Sequence, residues 1–331
     1  MKKHVLRIGA LGIVSMFLGY PIDANSWDHT LGSQGADGTL WANIAGPANS
    51  NQANVNLPYA ECAVGFHQSP IAINLTSNLG TVNPKTLNID NNPQAEPERH
   101  TDHVVAQYNR SISSTEGAAI STDEGNAFVF LNSGHAVQVA FSKGYPGRVF
   151  IGRDVYPLVQ FHFHTPSEHI VETDSNPAGV QYGGELHFVH QREDGKLAVL
   201  TVFLDGSHGS AAEHPILKMI INQTPKEPAP GDRPAFNSTG AGLPLDPSKL
   251  FPMESERIFT YAGSLTTPPC SEGVSWYILS EPLRVAPAQI EQLGKFYSSN
   301  SRVVQNTNYG NSNAPRTVKI HKHFHVDRDH D

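Results

Sequence analysis

Two short stretches, Gln160-Phe161-His162-Phe163-His164-Thr165-Pro166-Ser167-Glu168-His169 and Glu185-Leu186-His187-Phe188-Val189-His190, share one pattern. An extended strand sends successive side chains to opposite faces, so His162 and His164 lie on one face with Phe161 and Phe163 on the other. In the second stretch His187 shares a face with Glu185, opposite Leu186 and Phe188. Laid side by side, the two strands bring three imidazoles to one spot. Three His ligands leave tetrahedral zinc one open position, the arrangement of a catalytic site rather than a closed structural one. Taken alone, His-x-His in a strand is more often a solvated polar face. Cysteine-rich structural zinc is excluded, because the chain has 2 Cys.

Composition sets the background. Among 331 residues only 16% are charged, while Gly 28 and Pro 24 favour a turn-rich, mainly β (α+β) chain of one domain over a helical one. The net charge of −8 comes without a basic stripe, so nucleic acid is not an expected partner. Lys2, Lys3, His4 and Arg7 precede an apolar run over residues 8–20 interrupted by Ser15, with Ala24 offering a small residue for cleavage. This reads as a signal peptide over 1–24, a mature chain from Asn25, and a periplasmic or secreted protein. The run is too short to span a bilayer, so no stable membrane span is expected in the mature chain. The alternative is an anchor left uncleaved.

Along the chain no repeat and no linker appear. Alternating apolar residues over 127–131 and 136–141 read as strands, and the nearly continuous apolar run 197–204 as a central one. Residues 212–222 read as a helix, and Pro287 opens another carrying Ile290, Leu293 and Phe296. Residues 25–60, with Trp27 and Trp41, suggest an irregular arm over a core. The proline-rich 225–252 and the stretch 91–103 are expected to be surface loops. The carboxyl end, 321–331, carries His321, His323 and His325 at alternate positions. Such a tail is more often solvated than metal-binding, and no site is assigned to it.

Three further motifs sharpen the reading: Gln68-Ser69-Pro70-Ile71, Asn132-Ser133-Gly134-His135 and Gly263-Ser264-Leu265-Thr266-Thr267-Pro268-Pro269-Cys270. With them the chain, from about Trp27 to about Lys322, resembles an α-class carbonic anhydrase of the bacterial, exported type. The resemblance implies a large, mostly antiparallel twisted β-sheet with short peripheral helices, in a domain over 25–320. It also implies zinc-dependent, reversible hydration of carbon dioxide to bicarbonate and a proton, through attack by zinc-bound hydroxide and a histidine proton shuttle. In that scheme His162, His164 and His187 hold Zn2+. Gln160 accepts from His162 and Glu185 from His187, while a backbone carbonyl near Asn300 serves His164.

By the same resemblance Thr266 accepts a hydrogen bond from the hydroxide and donates its own to Glu168, with Thr267 beside it. Read alone, residues 266–269 are a simple turn. Val189, Val199, Leu265, Val274 and Trp276 match the family's carbon dioxide wall, and each also reads as ordinary core. His135 matches the proton shuttle, with Ser133 and Gln138 along the polar side of the funnel. Without its motif it reads equally well as a surface histidine after a glycine turn. Cys62 and Cys270 are consistent with one disulfide in an oxidising compartment, and the family's secreted members pair cysteines at these two motifs. The alternative is two buried thiols. The family's tyrosine shortly after the first Trp has no counterpart here, where Asp28, His29 and Thr30 follow Trp27.

Two other function classes stand beside this one. A non-catalytic binding protein on the same fold would be favoured by loss of a zinc histidine, and all three are present. A zinc esterase or peptidase for larger substrates would need a His-Glu-x-x-His helix, which is absent. The expected partner is the small substrate, carbon dioxide or bicarbonate, with the chain a monomer or homodimer.

Overall fold

Ten strands follow one another from edge to edge: Lys319–Lys322, Arg257–Ser264, Glu272–Leu279, Leu197–Asp205, Gly184–Gln191, Asp154–His164, Arg148–Ile151, Val104–Gln107, Leu87–Asp90 and Phe324–Asp327. Pairing along this path is antiparallel, except where Leu197–Asp205 meets Glu272–Leu279 and where Leu87–Asp90 meets both of its neighbours. A branch adds Val137–Phe141 to the middle of Asp154–His164, then Phe128–Asn132, then Ala235–Asn237. Leu283–Arg284 joins Leu197–Asp205, and three strands, Ala72–Asn74, Ile170–Thr173 and Asn176–Val180, form a separate small sheet. This computed structural model describes residues 41, 60–74, 87–90, 104–108, 128–142, 145–173, 176–228, 235–237, 245–252, 257–297, 299–305, 318–322 and 324–327. The expected signal peptide, Trp27 and the stretch 91–103 lie outside them.

The sheet is covered on both faces. One face packs Phe161, Phe163, Leu186, Phe188, Leu200 and Val202 into the larger core. The opposite face packs Val189, Val199, Phe203, Trp276 and Ile278 into a second one. A strand between two cores cannot read as apolar on one side only, which explains the near-continuous run in Leu197–Asp205. In Gly184–Gln191 and Asp154–His164, His162, His164 and His187 break that rule on the face of the second core, while His190 faces the larger core and meets the Tyr108 hydroxyl at 2.9 Å.

Several elements depart from the sequence reading. The helix expected over 212–222 is Pro215–Gln223, capped by His214, whose Nδ1 accepts the Leu217 amide at 3.4 Å. Proline suits the first helical position and bars the residue before it from helical geometry, so the helix opens at Pro215. The second helix, Pro287–Gly294, stops short of Phe296. Within the proline-rich segment, Ala235–Asn237 pairs with Phe128–Asn132 and a 3-10 turn spans Pro247–Leu250. Leu245, Leu250 and Phe251 are buried, so apolar side chains among the prolines anchor a segment expected to lie on the surface. The carboxyl end, expected to be solvated, supplies the two outermost strands instead. Only His323 separates them, although they stand at opposite ends of the strand order.

Candidate metal centre

Strands Asp154–His164 and Gly184–Gln191 pair antiparallel with His162 opposite His187 and His164 opposite Glu185. Directly opposite residues of a pair share a face, so this register places all three imidazoles together. Their ring centroids lie 4.9, 5.1 and 4.7 Å apart. One nitrogen from each ring falls within 4.8 Å of the others.

The far nitrogen of each ring is held. His162 Nδ1 meets Gln160 Oε1 at 2.9 Å, His164 Nδ1 donates to the Asn300 carbonyl at 2.7 Å, and His187 Nε2 meets Glu185 Oε1 at 2.6 Å. These bonds leave His162 Nε2, His164 Nε2 and His187 Nδ1 facing inward as lone pairs. His164 Nε2 and His187 Nδ1 are buried with no hydrogen-bond partner. Burial holds all three imidazoles below their ordinary range, His164 down to about 4, and mutual repulsion adds to this at His162 and His187. They are therefore neutral near pH 7. An unpaired buried nitrogen costs on the order of 1–3 kcal/mol, and a cation held by these atoms removes that cost.

Glu185 is the most heavily bonded group here. Its Oε1 accepts from His187 Nε2 and His169 Nδ1, both at 2.6 Å, and its Oε2 accepts the Glu168 and His169 amides at 2.9 and 2.8 Å. Burial alone would raise its pKa; the two imidazoles outweigh burial and bring it well below the carboxylate range. Behind it, His169 Nε2 lies 2.7 Å from the Tyr261 hydroxyl, which lies 2.9 Å from Ser69 Oγ. His169 and Tyr261 were not singled out from the sequence. The visible signal for His169 is its place directly after Glu168, in the same stretch as His162 and His164.

Glu168 is buried, with Oε2 3.5 Å from His164 Nε2 and 4.0 Å from His187 Nδ1. Burial pushes its carboxyl up to about 7, opposed by the field of His187, the Arg302 amide donating to Oε1, and the Thr266 hydroxyl. Thr266 is buried and Thr267 half-buried, in the loop that follows strand Arg257–Ser264. That loop is fastened to the rest of the molecule. Cys270 is bonded to Cys62, 208 residues away, and its carbonyl accepts from Gln68 Nε2 at 3.0 Å. Cys270 also adopts the left-handed backbone, φ 60. The almost fully buried Arg302 guanidinium donates to the carbonyls of Cys62 and Ser69 at 2.9 and 2.7 Å and lies under Trp41.

All five wall residues belong to one cluster: Val189, Val199, Val274 and Trp276 are buried in the second core, with Leu265 packed against it. Val189 pairs with Val199 and Val199 with Trp276, while the Trp276 ring stands edge-on to His187 at 4.9 Å. The core reading of these residues therefore holds, and Trp276 brings that core up to the histidine cluster. Gln138 pairs with His162 and shares its face, and half-buried His135 sits in the turn that leads into Val137–Phe141.

Residues 102–321 match the family model described as eukaryotic-type carbonic anhydrase. A carbonic anhydrase of Nostoc sp. is 35% identical over 207 residues, covering 62% of this chain and 71% of that protein. Human carbonic anhydrase 3 is 31% identical over 221 residues, covering 62% of this chain and 78% of that one. Among solved structures, the α-carbonic anhydrase of Thermovibrio ammonificans, in complex with the inhibitor sulfanilamide, superposes with a TM-score of 0.59 at 28% identity. That alignment covers 90% of this chain and 99% of the other. A mixed, curled sheet with three inward-facing histidines, matched by sequence over most of its length, makes this chain a member of the carbonic anhydrase family, the enzymes that hydrate carbon dioxide.

Proposed function

We propose that this chain hydrates carbon dioxide reversibly at a zinc ion held by His162 Nε2, His164 Nε2 and His187 Nδ1. Zinc bound there supplies Lewis acidity that makes water nucleophilic at neutral pH. The observation that carries the reading is the pair of buried, partnerless imidazole nitrogens, gathered with a third within 4.8 Å.

The remaining roles follow from what each side chain can donate or accept. Gln160, the Asn300 carbonyl and Glu185 fix the tautomer and aim of the three ligands. Positive charge at the site favours the ionised form of Glu168 against its burial. An ionised carboxylate can only accept, so Thr266 donates to it and turns its own lone pair toward the attacking oxygen, fixing that oxygen's remaining lone pair on carbon dioxide. Thr267 borders the same space. Val189, Val199, Leu265, Val274 and Trp276 present an apolar face to a small apolar substrate and keep bulk water off it. One proton is released per turnover, and the His135 imidazole carries it outward along water ordered by Ser133 and Gln138. The Cys62–Cys270 disulfide supports an oxidising, exported location, and no helix among the described residues is long and apolar enough to cross a membrane.

Carbon dioxide hydration followed with the native chain, the chain stripped by a zinc chelator, and His162→Ala tests this. Activity is expected only in the native sample and on readdition of zinc to the stripped one. Full activity in His162→Ala, or native protein that binds no zinc in proportion to chain, would overturn it.

A further inference from the structure

The segment that follows helix Pro287–Gly294 does more than offer a carbonyl to His164. Asn300 is buried, and its side chain is fully engaged: Oδ1 accepts the Thr165 amide at 2.8 Å, and Nδ2 donates to the Phe163 carbonyl at 2.8 Å and to the His135 carbonyl at 3.0 Å. One residue therefore touches the ligand strand at Phe163, His164 and Thr165 and also the turn that carries His135. Three positions earlier, the Tyr297 hydroxyl donates to Asn132 Oδ1 at 2.6 Å. That same oxygen accepts the Gly134 amide at 3.0 Å, and Asn132 Nδ2 donates to the Pro225 carbonyl at 3.0 Å.

The turn is held from within as well. Ser133 Oγ accepts the amides of His135 and Ala136 at 3.2 and 2.8 Å. Yet Gly134 stands at φ 85, a conformation open to glycine at little cost, so internal bonds alone leave the turn a residue about which it can pivot. Pairing of Val137–Phe141 with the ligand strand fixes one end of the turn, and the Pro225 carbonyl holds the Asn132 side-chain amide. The two ties that join the turn to the segment binding His164 are those from Tyr297 to Asn132 Oδ1 and from Asn300 to the His135 carbonyl.

We propose that Tyr297 and Asn300 are positioning residues for proton transfer: they clamp the 132–136 turn to the ligand strand and so hold His135 at a set distance from the metal-ligating nitrogens. The proposal rests on the reading of His135 as the shuttle. Proton transfer through ordered water depends steeply on geometry, so loosening the turn slows that step without touching the apolar wall or the ligands.

Tyr297→Phe removes a single oxygen and keeps the ring, and His135→Ala is the control. In dilute buffer kcat of Tyr297→Phe is expected to fall about three- to tenfold, the size of one neutral hydrogen bond, and added imidazole restores it. kcat/KM for carbon dioxide, which does not report the outward proton step, is expected to stay at the native value. Amide hydrogen exchange at Gly134, His135 and Ala136, measured by NMR with and without zinc, is expected to quicken by a similar factor while exchange in Gly184–Gln191 is unchanged. If His135→Ala slows kcat but Tyr297→Phe does not, the clamp is overturned and the shuttle stands. If kcat and kcat/KM of Tyr297→Phe fall together, its role is only structural and the clamp is again overturned. If His135→Ala leaves kcat unchanged, the shuttle reading fails and the catalytic part of this proposal fails with it.

Discussion

A single carboxylate, Glu185, shows how much of the site rests on satisfying donors. Four N–H groups converge on its two oxygens, two from imidazoles and two from the backbone. Glutamine in its place keeps one accepting oxygen and turns an NH2 group toward donors. His187 is then left without a fixed acceptor for Nε2–H, and the tautomer that bares Nδ1 loses its support. Glu185→Gln is expected to weaken zinc binding about 10- to 100-fold, in the range seen when outer partners of metal ligands are removed. Competition with a chromogenic chelator measures this; unchanged affinity would show that Glu185 does not set the tautomer. That His162 and His164 share a face, and that His187 shares one with Glu185, could be read from alternation alone, because the period of a strand is local. The contribution of His169 could not, since its partner Tyr261 is 92 residues away.

Among elements, strand Arg257–Ser264 ties the Thr266 loop to the second core. Its register shifts at Gly263 and Ser264, where it runs opposite Val274 and Glu272. A Cβ on Gly263 would stand 2.2 Å from Ser69 Oγ, 2.7 Å from Tyr261 Cε2 and 3.0 Å from Trp276 Cδ1. Ser69 in turn bonds the Ser264 amide at 3.0 Å, and its own amide donates to Ser264 Oγ at 2.9 Å. Glycine is required here by close approach rather than by φ. Gly263→Ala is expected to cost on the order of 1–3 kcal/mol by overpacking, read as a lower midpoint of urea unfolding, and to lower activity by shifting Trp276 and the Thr266 loop. A native midpoint would mean that Ser69 and Trp276 yield freely. The motif Gly263–Cys270 was visible in the sequence; the reason for its first residue lay in a serine 194 positions earlier, in another motif.

At the scale of the whole molecule, the carboxyl end supplies the strand at each end of the ten-strand path. Lys319–Lys322 pairs with Arg257–Ser264 and Phe324–Asp327 with Leu87–Asp90, so the outermost strands are four residues long, one of them with Lys at both ends, in place of the longer Arg257–Ser264. Open edges invite pairing between molecules. A chain ending at Val318 is expected to unfold at lower temperature and to form soluble aggregates detectable by light scattering. The same melting and scattering as the full chain would show that these strands add nothing. The sequence pointed away from this role, because alternating His and Lys at a terminus resemble a solvated tail and partner strands cannot be identified without the path of the sheet.

What this sequence determined unaided is what repeats over a few residues: histidine alternation in 160–164, the face shared by Glu185 and His187, the nearly unbroken apolar run of a central strand, proline at the start of the helix from Pro287, and a glycine turn before His135. Strand and helix periods and turn preferences act between near neighbours, so they can be read one stretch at a time. Tertiary structure alone decided which lone pairs remain bare, that Val189, Val199, Leu265, Val274 and Trp276 gather in one cluster beside His187, and that Asn300 and Tyr297 reach back 165 residues to the turn of His135. Those outcomes depend on strand register and on the curl of the sheet, which long-range burial and hydrogen-bond satisfaction set together rather than any local pattern.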